Sequence, residues 1–65
     1  MQVIINGKST SLAETVTVAD LLRDMNIDGK VAVEINREIL PRSQFIQHRL
    51  RNGDILEIVH AIGGG

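Results

Sequence analysis

The chain has 65 residues, no cysteine, one proline and a formal charge of -1, which leaves room for one small domain and not for two. An apolar share of 43% and a charged share of 23% describe a chain that folds, but a body this small cannot enclose a cleft without consuming its core, so an autonomous enzyme is not expected. Lacking cysteine it has no disulfide framework and no thiolate metal site, and its apolar runs fall far short of the roughly 20 residues that span a bilayer, so a cytoplasmic protein is the expectation.

The first twelve residues read as a hairpin. Val3, Ile4 and Ile5 are β-formers, Asn6-Gly7 is the favoured pair for a type I′ turn, and residues 8–12 return. The period then changes: Val18, Leu21, Leu22 and Met25 fall at i, i+3, i+4 and i+7, the stripe of a helix with one buried face. Thr17 is placed to cap it, Asp20 puts negative charge at the positive end of its dipole, and Gly29 supplies the turn that ends the region.

Residues 31–36 alternate, with Val31, Val33 and Ile35 on one face and Ala32, Glu34 and Asn36 on the other, the pattern of a strand. Asn36-Arg37-Glu38 turns the chain into Ile39-Leu40, and Pro41 ends that segment because it has no N–H to donate. Residues 42–50 read as a loop or short helical turn pinned to the core by Phe45, Ile46 and Leu50. After the turn Asn52-Gly53-Asp54, residues 55–62 are nearly continuously apolar, which places them as a strand in the centre of the sheet. The connection between the second and third strands is long enough for a crossover, so the last strand can run parallel to the first. The expected architecture is α+β, a mixed sheet of four to five strands gripping one helix, with a domain over residues 1–62 and a glycine tail over 63–65.

The tail is where chemistry is expected. At an average glycine usage of about 7%, three glycines in succession at a given place has a chance of roughly three in ten thousand. Gly63-Gly64-Gly65 would be a thin tether, without side chains, able to thread a narrow channel in another protein. A terminal carboxylate is ionised at neutral pH and a poor electrophile, so acyl chemistry there requires activation; condensation with a nucleotide would create a leaving group that sulfur could displace.

The start MQVIING, the segments TVADLL, VAVEINREILPRSQF and RNGDILEIVHAI, and the end GGG together resemble the thiamine-biosynthesis sulfur carrier family, ThiS, over essentially the whole chain. The resemblance implies a ubiquitin-like β-grasp fold. It also implies that an adenylating enzyme of the ThiF type uses ATP and Mg to adenylate Gly65, with no cofactor bound by the carrier itself. A sulfur-donor system then converts Gly65 to a thiocarboxylate, and thiazole synthase of the ThiG type takes the sulfur. Gly63 and Gly64 correspond to the threading tail, and Phe45 stands where the family leads one to expect tryptophan.

Rival readings stand beside this one. His48 and His60 without cysteine or a spaced carboxylate set are a weak metal signal. Ser9, Ser11 and Ser43 have no accompanying base, and Asp20 and Asp24 at i, i+4 read as a solvated helix face. One aromatic residue offers no stacking platform for nucleic acid. Charge is unevenly spread: Lys30, Arg37, Arg42, Arg49 and Arg51 face only Glu34 and Glu38, so Arg42 and Arg49 are candidates for docking a partner. The sheet face away from the helix is the other candidate, with Ala32, Ile58 and Ile62 as members. Alternative functions are the small subunit of molybdopterin synthase, another ubiquitin-like carrier or modifier, and a binding module with an idle tail.

Overall fold

The computed structural model describes residues 1–60. Strands β1 (Gln2–Ile5) and β2 (Lys8–Ser11) form the expected hairpin, with Ile5 opposite Lys8 and the left-handed turn carried by Asn6 at φ 49° and Gly7 at φ 84°. Val3 and Ile5 point inward and are buried.

Helix α1 (Val18–Asp24) starts at a capping box: the Thr17 hydroxyl accepts from the Asp20 N–H at 3.1 Å, and the Asp20 carboxylate accepts from the Thr17 N–H at 3.2 Å. Val18, Leu21 and Leu22 are buried. The expected fourth member of the stripe, Met25, is 42% exposed because it is the C-cap and leaves the helical path. Asn26 ends the helix, and Gly29, at φ 82°, bends the chain further on. At φ 57° Asn26 takes the left-handed position, and the N–H groups of Asn26 and Ile27 donate to the carbonyls of Arg23 and Leu22, a Schellman closure.

Strands β3 (Val31–Ile35) and β4 (Glu38–Leu40) are joined by a two-residue turn in which both Asn36 and Arg37 have positive φ, 51° and 71°. Pro41 leads into a single 3-10 turn over Arg42–Gln44. Phe45 and Leu50 pin the following segment to the core, but Ile46 does not: it is 77% exposed. Backbone bonds tie this segment to the helix start, Val18 N–H to the His48 carbonyl and Ala19 N–H to that of Phe45.

Strand β5 (Ile55–His60) is the third of five in the order β2-β1-β5-β3-β4, parallel to β1 and antiparallel to β3. Both of its edges are paired, as its apolar character requires. The expected extension of this strand to residue 62, and the glycine tail, lie outside the described residues. One helix packed on a five-stranded mixed sheet is the β-grasp arrangement. Its core is one cluster from both layers, with Leu21 of the helix and Val3, Val33 and Leu56 of the sheet almost fully enclosed.

Candidate functional site

Among the described residues, the helix covers one face of the sheet and leaves the other open. Side chains alternate along each strand, so the register decides which residues share the open face. Ile4 lies opposite Ile55, Ala32 opposite Val59, Glu34 opposite Glu57 and also opposite Ile39. Ile4, Ile39, Ile55 and Val59 are the large apolar side chains on this face, between 39% and 73% exposed, and Ala32 is exposed beside Val59.

Ile58 is not part of this surface. It pairs with Val33, is 8% exposed and belongs to the core, because β5 places its even-numbered residues toward the helix. Ile62 lies outside the described residues. The sequence alone does not reveal Ile4, Ile39, Ile55 and Val59 as a patch, although each is visible as an alternate position once the turns at Asn6-Gly7, Asn36-Arg37 and Gly53 anchor the register.

The two candidate arginines stand elsewhere. Arg42 lines an apolar groove of about 430 Å³ between the helix and the 3-10 turn, bounded also by Leu22, Ile27, Val31, Phe45 and Ile46. Its guanidinium donates to the Gly29 carbonyl at 3.3 Å. Arg49 lines a larger, more polar groove of about 880 Å³ with Glu14, Glu38, His48 and Asp54. The structure therefore brings Ala32 onto the open sheet face but gathers neither Arg42 nor Arg49 there.

His60, the last described residue, lies at the surface opposite Val31, at the end of the sheet where β3 begins. Gly63, Gly64 and Gly65, on which the chemistry is expected, lie outside the described residues. Among the described residues no three His, Cys, Asp or Glu side chains converge as a metal-ligand set. Ser9 and Ser11 are engaged with the Gln2 side chain. Also among the described residues, no helix is long and apolar enough to cross a membrane.

Residues 3–65 match the model of the ThiS family. The chain is 36% identical over 63 residues to the sulfur carrier protein ThiS of Bacillus subtilis, covering 94% of this chain and 96% of that one. A thiazole synthase of Paramagnetospirillum magneticum contains a region 46% identical over 66 residues; the match covers this whole chain but only 20% of that relative's length. Among solved structures, the thiamine biosynthesis protein ThiS of Geobacter metallireducens superposes with a TM-score of 0.85 at 33% identity, over the full length of both chains.

Proposed function

The chain belongs to the ThiS family, the sulfur carriers of thiamine biosynthesis, and on that premise we propose that its terminal Gly65 carries the sulfur. The observation that supports this most directly is a family match reaching residue 65, which includes the glycine end, joined to near full-length similarity to a sulfur carrier.

In this reading the folded body is a co-substrate and the catalyst is its partner. An adenylating enzyme, using ATP and Mg, joins the Gly65 carboxylate to AMP with loss of pyrophosphate. A sulfur nucleophile from a donor system displaces AMP, and the chain becomes a thiocarboxylate. Gly63 and Gly64 pass the terminal acid into the partner's site because they present no side chain to a narrow channel. Acyl transfer demands placement of the reacting atom to within about an ångström, so a tail of altered length would fail.

The open sheet face with Ala32 at its edge is the docking surface, since a contiguous exposed apolar set marks a place for a partner. Arg42 and Arg49 lie off that face and add long-range attraction to the adenylating enzyme, acting on the rate of encounter. Thiazole synthase receives the sulfur. Support comes from the Paramagnetospirillum relative, in which a domain of this kind shares one polypeptide with a protein of that name. A cytoplasmic site of action belongs to the same reading.

The test is incubation with the adenylating enzyme, MgATP and a sulfur donor, followed by intact-mass analysis. The chain should gain the mass of one oxygen-to-sulfur exchange. Deleting Gly65 should abolish that gain and leave the melting temperature unchanged. A wild-type chain that stays at its original mass, or a Gly65 deletion that still supports thiazole formation, overturns the reading.

A further inference from the structure

The open sheet face has one feature that stability alone disfavours. Glu34 and Glu57 are direct cross-strand partners on the interior strands β3 and β5, so their side chains leave the sheet on the same side, next to each other. Like charges opposite one another destabilise a sheet. Their flanking positions do not relieve this. Ile39 lies beside Glu34 on β4, and Ala32 with Val59 forms the adjacent outward pair along β3 and β5. On the β1 side the Asn6 side chain is committed to the backbone of Ile58, accepting its N–H at 2.8 Å and donating to its carbonyl at 3.2 Å. Among the described residues the ion pair present is Arg23 with Asp20, at the helix, and neither Glu34 nor Glu57 has a cationic partner.

The two carboxylates thus sit between the exposed apolar side chains Ile4, Ile39, Ile55 and Val59, with the polar Gln2, Ser9 and Ser11 beyond Ile4 on the β1–β2 side. A purely apolar partner surface would strip water from two carboxylates without replacing it, which is costly. A partner that places one ammonium or guanidinium between them avoids that cost, since charge-assisted bonds strengthen as the site is dehydrated.

Building on the carrier reading above, we propose that Glu34 and Glu57 are specificity-determining residues of the docking face, and that they receive a Lys or Arg side chain presented among apolar side chains by thiazole synthase, the partner favoured because the Paramagnetospirillum protein of that name carries a domain of this kind in one polypeptide. The pair selects against partner surfaces that are apolar but lack the cation, and the surrounding Ile4, Ile39, Ile55 and Val59 supply the buried area. The carboxylates define the sign of the electrostatics at this face, whereas Arg42 and Arg49 are remote from it.

The experiment measures association of the full chain with purified thiazole synthase for wild type, E34Q, E57Q and E34Q/E57Q, at several salt concentrations. The double variant should bind about tenfold more weakly or worse, through a faster off-rate and with a flatter salt dependence. Its melting temperature should equal or exceed that of wild type, because a repulsive contact has been removed. E57K should bind more weakly still. Unchanged binding of the double variant overturns the proposal. So does a weakening that tracks a lowered melting temperature, which would mark a structural role. A defect confined to the adenylating enzyme, or a change only in self-association, overturns the assignment of the occupant. Intact-mass analysis of wild type in parallel separates this from the carrier reading: a chain that takes up sulfur while E34Q/E57Q binds normally sinks only the docking proposal.

Discussion

Replacing Asp54 by alanine should destabilise the domain by about 2 kcal/mol. Asp54 is 8% exposed, and both of its oxygens are used. One accepts the Arg51 N–H at 2.8 Å and the other the Asn36 side-chain amide at 3.1 Å, while Asn36 in turn accepts the Ile55 N–H at 3.0 Å. The two bonds made by Asn36 fasten the β3–β4 turn to the start of the central strand, and the Arg51 bond closes the turn that leads into it. Hydrogen bonds to a charged acceptor contribute about 1.5–3 kcal/mol each. Arg51 and Asn36 are themselves exposed, so water recovers part of the loss and about 1 kcal/mol per bond is a fair value. That is a large part of the roughly 3–10 kcal/mol available to a domain of this length. Urea unfolding followed by far-ultraviolet circular dichroism measures it, in a chain without tryptophan or tyrosine. A double-mutant cycle with Asn36→Ala cancels the backbone effect of removing Asn36 and should return a coupling of about 1 kcal/mol. Additive losses, or a cost for Asp54→Ala below about 0.5 kcal/mol, would refute the reasoning.

Other outcomes are open to the same measurements. Leu21→Ala, at a site 2% exposed, should cost about 2–5 kcal/mol in urea unfolding, in contrast to the thermally silent deletion of Gly65. Arg37→Gly should raise stability by about 0.5–1 kcal/mol, because Arg37 holds φ at 71°, a conformation that costs a side chain and not glycine; a lower denaturation midpoint would count against it. The Asp20 carboxyl lies below its ordinary value near 3.8, chiefly because the Thr17 N–H donates to it, then through the Thr17 hydroxyl and the Arg23 guanidinium. A pKa depressed by folding stabilises above the unfolded value and is lost as pH falls through the folded one, so Asp20→Asn should flatten the decline in stability below about pH 3.8. An identical acid slope in the two proteins would contradict that.

Much of the architecture was legible because it is local. Asn6-Gly7 specifies its turn through the φ values those residues tolerate, Thr17 and Asp20 make a capping box three residues apart, and the alternation at Val31, Val33 and Ile35 names the buried face of β3. The nearly continuous apolar run after Asp54, interrupted by Glu57 and His60, places β5 in the middle of the sheet without any knowledge of its neighbours, since a strand paired on both edges can carry it. The glycine end and the family resemblance were likewise properties of the chain itself.

What the sequence could not decide was pairing between distant segments. The parity of β5 depends on where Gly53 releases the strand against β1 and β3, and a shift of one residue exchanges its two faces; that is why Ile58 is core and Val59 is surface. Met25 and Ile46 fit an apolar pattern by spacing but are exposed, because one sits at the helix cap and the other just beyond the 3-10 turn. Composition made this a small folded domain with a glycine end; only the tertiary register set Glu34 beside Glu57 among exposed isoleucines, since residues 23 positions apart become neighbours through strand pairing and not through any local preference.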